Sequence, residues 1–370
     1  MADIKLSISS EELDDIYSYL YGDDNSTDLA NITFDIGSIP CGAHRVPPAV
    51  QIFMTVFYML IFLLAIPGNL VVGLVVGSSR HSLSPSDLFL FNLALADLLL
   101  AATLPLSAVS FLRGWIFGDL SCKLISMIVE INFYTSILLL VCISADRYMM
   151  VVHNATEGRG RSGGCLRLSW IACGCVWLLG FLLSVPVLVY STSYSSMENS
   201  TILECVERYT TSSASYWRFA TRLLRHLLGF LLPLGTMMVF YGVTIARLVQ
   251  TRGFRKQRAM RVIIAVVTAF LLCWCPYHLV MMVDTLVREN LVDSGCHRRH
   301  EIDRALLATR SLGLLNCCIN PVLYAFVGEK FRSNLMKLLR KRGIVERESI
   351  SRSFSRSTSS TSQGNNNALT

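Results

Sequence analysis

Long uncharged runs constrain this chain more than any other feature. Ala49 to Ser79 carries no charged side chain, and neither do Leu168 to Ser191 or Val262 to Val283. Each exceeds the ~20 apolar residues an α-helix needs to cross a hydrocarbon layer about 30 Å thick. Inside such a layer the backbone has no water to bond to, so a spanning segment must satisfy its own N–H and C=O groups as a helix. Seven segments fit this description: about Val50 to Val76, Leu88 to Phe111, Leu124 to Met150, Leu168 to Tyr190, Leu223 to Leu248, Val262 to Val283, and Ala305 to Val327. The charged fraction of 16% agrees, since soluble domains hold roughly 25%. The expected fold class is all-α, a seven-transmembrane helix bundle spanning residues 50–327.

Orientation follows from lysine and arginine, which are retained near span ends on the cytoplasmic side. Alternate connectors and the tail hold 20 of the 33 basic residues, from Arg80 through the Arg247 to Arg261 cluster to Arg356. That side is expected to be cytoplasmic, with the N-terminus outside. The outer arm, residues 1–49, agrees: its first 40 residues hold nine acids, Asp14 and Asp15 among them, against the single Lys5, a net of −8. The overall net charge of +7 is therefore a sum of opposites and not the footprint of a nucleic-acid binder. No short apolar stretch follows a basic start, so the first span is expected to serve as an uncleaved insertion signal. Asn25, Asn31 and Asn199 head glycosylation triplets on the outer side, whereas the Asn154 triplet falls inside.

Of twelve cysteines, four lie on the oxidising side: Cys41, Cys122, Cys205 and Cys296. An even outer set suggests two disulfides, with three pairings that spacing does not separate. The others lie in or beside spans as small apolar packers. Metal-type cysteine spacing is absent, no nucleophile is matched to a base, and no phosphate loop occurs. The chain is not expected to be an enzyme.

A charged side chain inside a span costs at least ~2.5 to 3.5 kcal/mol, so each one present is a functional candidate. Asp97 lies in span 2, with Asn132 and Ser136 in span 3 and Asn316 and Asn320 in span 7. This hard-oxygen set suits a small cation such as sodium or a hydrogen-bond network that only pins helices, and the chemistry leaves both open. No other cofactor is expected. Span 3 ends in Asp146-Arg147-Tyr148, an adjacent acid and base that can lock each other or release the arginine to a partner. Pro276 follows Trp274 in span 6, and span 7 closes on Asn320-Pro321-Val322-Leu323-Tyr324. Each proline removes a backbone bond and kinks its helix.

With these residues placed, the chain resembles the rhodopsin-type G protein-coupled receptors. Gly68-Asn69, Leu93 to Asp97, Asp146-Arg147-Tyr148, Cys273-Trp274-Cys275-Pro276, Pro233 with Tyr241, and Asn320-Pro321 to Tyr324 stand in family order. Thr103-Leu104-Pro105, Trp115-Ile116-Phe117-Gly118 and the outer Cys41 and Cys296 are similar to chemokine receptors. Gly114 to Gly118, Ile137 to Leu140, Arg258 to Val262 and Ile302 to Leu306 are similar to the interleukin-8 receptor group of CXC chemokine receptors. The resemblance implies the pairs Cys122–Cys205 and Cys41–Cys296. It implies a plasma-membrane receptor that takes a basic CXC chemokine and signals through an inhibitory-type G protein to drive leukocyte chemotaxis. The alternatives are a receptor for another peptide chemoattractant and a chemokine scavenger with weak coupling.

By the same resemblance, Tyr17, Tyr19 and Tyr21 on the acidic arm are sulfated and dock the ligand body. The ligand's N-terminus then enters a cavity near Arg222, Asp284, Arg288 and Arg310. Trp274, Pro276, Asn320, Pro321, Tyr324 and Tyr241 transmit the change, and Asp146, Arg147 and Tyr148 engage the G protein. Many relatives carry an acid where this chain has Arg310, and many carry a histidine where it has Asn316. The latter makes the Asp97 cluster more typical of sodium-binding receptors.

Residues 328–342 place Phe331, Leu335 and Leu338 at helical spacing among basic residues, the pattern of an amphipathic helix on membrane lipid. The tail, 343–370, reads as disordered by composition. Its hydroxyls, Ser349, Ser351, Ser353, Ser355, Ser357, Thr358, Ser359, Ser360, Thr361 and Ser362, suit receptor kinases followed by arrestin docking.

Overall fold

The computed structural model describes residues 46–78, 83–152, 162–195, 202–209, 214–250, 254–288, 292, 295–327 and 329–341. Asp14, Asp15, Tyr17, Tyr19, Tyr21, Asn25, Asn31, Cys41, Asn199 and the tail hydroxyls from Ser349 to Ser362 lie outside the described residues.

Seven helices among the described residues are long and apolar enough to cross a membrane. They are α1 (Pro48–Ser78), α2 (Pro85–Arg113), α3 (Asp119–Val152), α4 (Ser162–Tyr190), α5, α6 (Phe254–Arg288) and α7. Helix α5 runs as Ala214–His226, a π-helical turn at Leu227–Leu231, and Leu232–Gln250. Helix α7 runs as Cys296–Leu314 and resumes after Leu315 as Asn316–Val327. A further helix, α8 (Glu329–Lys341), follows, with Phe331, Leu335 and Leu338 half-buried and Arg332, Lys337 and Arg340 exposed. The alternation at helical spacing is the amphipathic pattern expected there.

The helices overrun their hydropathy limits. Helix α6 begins at Phe254 rather than near Val262, and α7 at Cys296 rather than near Ala305. Hydropathy marks where hydrocarbon begins, whereas the i to i−4 hydrogen bonds continue into water as long as nothing breaks them. Where a stop is written in the sequence, the boundary is sharp. Ser84 caps α2, its hydroxyl accepting from the Asp87 N–H at 3.3 Å while Asp87 accepts from the Ser84 N–H at 3.0 Å, with Pro85 at the first helical position.

Membrane burial inverts the soluble pattern. Ile52, Phe53, Val56, Leu60, Leu63 and Leu64 of α1 are exposed, while Asn69, Asp97, Asn132, Ser136, Asn316 and Asn320 are buried. Water does not drive such helices together, so close approach of small residues matters more. A Cβ on Gly68 of α1 would stand 3.0 Å from the Pro321 ring of α7, and one on Gly313 of α7 would stand 2.8 Å from the Trp274 ring of α6. Both contacts exist because the glycines lack that atom.

The end of the bundle that the charge bias assigns to the outside is closed by a feature absent from the helical reading, a β-hairpin. Strands β1 (Ser191–Tyr194) and β2 (Glu204–Glu207) pair antiparallel, Ser191 facing Glu207 and Tyr194 facing Glu204. The disulfide Cys122–Cys205 ties β2 to the start of α3. Asp119 fixes β1 by accepting from the Thr192 hydroxyl at 2.8 Å and the Ser193 N–H at 2.9 Å. Cys296 is disulfide-bonded as well. Its expected partner Cys41 is outside the described residues.

The hairpin reaches the bundle through Gly114, where φ is +72° and a Cβ would meet Ile202 at 2.6 Å and the Leu203 carbonyl at 2.8 Å. The neighbouring Trp115 N–H donates to that carbonyl at 2.6 Å. Gly118 has φ of +82° but open space around it. We expect Gly118→Ala to lower stability by only the left-handed backbone cost of roughly 1–2 kcal/mol. Gly114→Ala should add a clash of about 1–3 kcal/mol. Thermal unfolding of the purified protein measures both, and equal shifts would remove the close approach as a cause.

Candidate ligand cavity and switch network

Below the hairpin, charged side chains from three helices, α5, α6 and α7, converge. Asp284 of α6 accepts from Arg222 of α5 at 2.7 Å and from Arg288, one turn further along α6, at 2.8 and 3.0 Å. Arg288 extends the chain to Asp303 of α7 at 3.1 Å, and Arg222 also donates to the Thr285 hydroxyl at 3.1 Å. Three of the expected ligand-binding residues are thus joined. Arg310 of α7 is not part of this chain. It is exposed, close enough to Glu207, Tyr277 and Tyr58 to act on them electrostatically, and forms no hydrogen bond or ion pair among the described residues.

A second cluster was not singled out in the sequence. Arg225 of α5 donates to Glu130 of α3 at 2.7 Å and to Glu207 of β2 at 3.2 Å. Burial opposes ionisation of Glu207, but Arg225, Arg310 and Arg222 outweigh it and hold the carboxyl below its ordinary range. The signal for two of these residues was present: Glu130 and Arg225 are charges within expected spans, the same criterion that marked Asp97. Glu207 carried no such signal, because only the hairpin brings it over the cavity.

Further along the bundle the packing is aromatic. Trp274 lies 4.9 Å from Phe133, 5.8 Å from Tyr277 and 6.3 Å from Phe270, ring centre to ring centre. The backbone of Gly313 supplies the opposite wall, and Pro276 lies half a turn away inside α6.

At mid-depth the fully buried Asp97 accepts from Asn132 at 3.2 Å and from Asn320 at 3.0 Å, one amide to each oxygen. Asn69 donates across to the Cys317 carbonyl at 2.8 Å, linking α1 to the broken part of α7. The Ser136 hydroxyl and the Asn316 and Asn320 side-chain oxygens are buried without a hydrogen-bond partner among the described residues. Unpaired buried oxygens beside a carboxylate are costly unless a cation or water completes them. The donor set is all oxygen, which fits a hard cation. Among the described residues no group of three His, Cys, Asp or Glu side chains could hold a softer metal.

At the inner end the expected lock has a third member. The Ser86 hydroxyl of α2 donates to Asp146 and accepts from Arg147 at 2.7 Å. Among the described residues the acid and base form no direct ion pair; the serine bridges them and ties α3 to α2. Tyr148 faces α5, its ring 5.3 Å from Phe240. Tyr241 of α5 accepts from Ser144 of α3 at 2.7 Å. Tyr324, below Pro321, is buried with its hydroxyl unpartnered among the described residues and its ring 6.3 Å from Phe331 of α8. Cross-helix bonds of this kind hold α3 against α2 and α5.

A family model described as 7 transmembrane receptor (rhodopsin family) matches residues 68–324. The chain is 44% identical over 313 residues to the C-X-C chemokine receptor type 1 of Oryctolagus cuniculus, covering 85% of this chain and 86% of that one. It is 41% identical over 351 residues to the C-X-C chemokine receptor type 2 of the same organism, covering 95% and 94%. The type 2 receptor of Homo sapiens is 42% identical over 334 residues, covering 87% and 89%. Seven spanning helices, a disulfide from α3 to the outer hairpin and a buried carboxylate at mid-depth all accord with that match, and the chain belongs to the rhodopsin family of seven-transmembrane receptors, among the C-X-C chemokine receptors.

Proposed function

We propose that this chain is a plasma-membrane receptor for CXC chemokines of the interleukin-8 type, with its N-terminus extracellular and an inhibitory-type G protein as its inner partner. The observation that carries the ligand reading is the outer cluster of charged side chains. Its acids, Asp284, Glu130 and Glu207, are each already held by arginine. Among the described contact residues Arg310 alone forms no hydrogen bond or ion pair. Such a surface is preorganised for a charged peptide rather than a small apolar ligand. The acidic arm attracts the basic body of a chemokine over several ångströms and raises its association rate. Sulfation of Tyr17, Tyr19 and Tyr21 would strengthen that field, and glycans at Asn25, Asn31 and Asn199 would lie on the same side.

The ligand's N-terminal segment enters beneath the hairpin and exchanges partners with Arg222, Asp284, Arg288 and Arg310. Trp274, packed against Phe133 and the Gly313 backbone, responds, and the Pro276 and Pro321 kinks carry the motion inward. Separation of Ser86 from Arg147 and of Tyr241 from Ser144 then opens the inner face. Arg147 becomes available to the G protein, with leukocyte chemotaxis as the outcome. Receptor kinases and arrestin act on the tail hydroxyls, while α8 rests on membrane lipid. Silence across a panel of CXC chemokines, in cells displaying the receptor and read by G-protein turnover, would overturn the ligand assignment.

Sodium is the cation we assign to the Asp97 centre, with Asn132, Ser136, Asn316 and Asn320 as the remaining oxygen donors. It would neutralise a carboxylate otherwise supported by two amides. Asp97→Asn should abolish the sodium sensitivity of agonist affinity, measured in binding assays with and without NaCl. Sensitivity that survives would leave the cluster a packing role.

The bridge at Ser86 makes a separate expectation. A hydrogen bond to a charged group contributes about 1.5–3 kcal/mol when both partners are held, and Ser86→Ala removes two. Allowing for direct pairing of Asp146 with Arg147 in the variant, basal G-protein turnover should rise roughly five-fold, the effect of about 1 kcal/mol. Unchanged basal turnover at equal surface expression would place the lock in Asp146 and Arg147 alone.

A further inference from the structure

A groove of about 320 Å³ runs between α6 and α7. Leu279, Val280 and Val283 line it from α6, and Ile302 and Ala305 from α7. Ile302 is buried, whereas Leu279 and Val283 are 64% and 50% exposed, so the groove opens toward the membrane and not into the bundle. Water has no polar partner along such an apolar wall, and a hydrocarbon chain fills it instead. The outer end of the same groove is charged: Arg298 and Glu301 of α7 complete the lining, and both are exposed. The uncharged runs end near Val283 on α6 and begin near Ala305 on α7, so both helices cross the hydrocarbon limit at the groove. Glu301 and Arg298 lie about 6 and 10 Å further out along α7. Lipid headgroups form a layer about 5–8 Å thick there, and the flexible arginine stem lets its guanidinium reach back into it. His297 faces Glu301 at 3.7 Å with the two side chains 89% and 60% exposed, a surface contact that solvent keeps weak.

We propose that this groove binds one phospholipid with a zwitterionic headgroup, taken from the leaflet at the hairpin end. Its acyl chain lies against Leu279, Val283, Ile302 and Ala305, its phosphate meets Arg298 and its ammonium meets Glu301. The two rim charges select the class. A sterol fills the apolar part but brings no charge to either side chain. An anionic lipid satisfies Arg298 while setting its net negative charge against Glu301, where like charges repel. A headgroup that carries both signs complements both residues, and at the membrane surface each such contact counts because the headgroup layer is only partly solvated. The lipid chain packs about one turn outward of Pro276, against the outer arm of the kinked α6, and holds that arm at a set spacing from α7. Arg222, Asp284 and Arg310 are not among the lining residues, so the site is distinct from the charged outer cluster and does not rest on the chemokine reading.

A photoreactive benzoylphenylalanine in place of Met282, an exposed neighbour of Val283 on α6, reports which lipid lies in the groove. The full-length protein is placed in nanodiscs of phosphatidylcholine and phosphatidylglycerol with identical chains, in equal amounts and with cholesterol added, and the captured lipid is identified by mass. Capture at position 282 should favour phosphatidylcholine over phosphatidylglycerol by about five-fold, the effect of one headgroup charge contact. The same reporter in place of Leu64, exposed on α1, should capture the two in proportion to the disc. Glu301→Lys, at an exposed position, should turn the preference at 282 toward phosphatidylglycerol. Ala305→Trp, which fills the groove, should bring capture at 282 to the ratio seen at 64, and either variant suffices if the other does not fold. An equal ratio at the two reporters, a preference at 282 unmoved by Glu301→Lys or by Ala305→Trp, or capture at 282 dominated by cholesterol would overturn the proposal.

Discussion

A polar group in the middle of a bilayer can be satisfied only by other parts of the protein, and the architecture depends on that restriction. Asp97 cannot reach water from mid-depth, so Asn132 and Asn320 must come to it from α3 and α7. Asn69 must bond the Cys317 carbonyl, which is free because the residue one turn on in α7 is Pro321, with no N–H to offer it. One buried carboxylate thereby sets the relative placement of three helices and marks where the seventh leaves regular geometry. The apolar faces carry no such information. Leu60, Leu63 and Leu64 are content against any lipid tail, so specificity rests on few polar bonds and on glycines such as Gly68 and Gly313 that permit close approach.

The same restriction loosens toward both ends of the bundle, where charges are numerous and partnered in chains rather than isolated pairs. At the outer end Arg222, Asp284, Arg288 and Asp303 form one chain, and Glu130, Arg225 and Glu207 another. Partly desolvated chains of this sort hold their geometry. At the inner end a single hydroxyl, Ser86, stands between an acid and a base. That hydroxyl ties α3 to α2 through both charges.

Much of this was legible along the chain. The spans were, because hydrocarbon imposes both length and composition on any crossing helix. Asp97, Arg147 and the kinked prolines stood out because each violates the rule around it. Helix ends were not legible from hydropathy: α2 starts at its Ser84 cap before the apolar limit near Leu88, and α6 and α7 run past theirs at Phe254 and Cys296. The hairpin was not legible: four-residue strands of mixed character carry no periodicity. Arg225 and Glu130 were visible as violations but not as partners, since 95 positions separate them.

The chain's own order of residues determined that it crosses the membrane seven times, which side is basic, and which side chains could not be there for lipid's sake. These follow from transfer free energies, which act residue by residue. Only the tertiary structure decided which exceptions meet: Asp97 with Asn320, Arg225 with Glu207, and Ser86 with Asp146 and Arg147. Such meetings depend on the distance between helices and on the rotation of each about its axis. Those quantities emerge from packing seven helices at once, and no single segment encodes them.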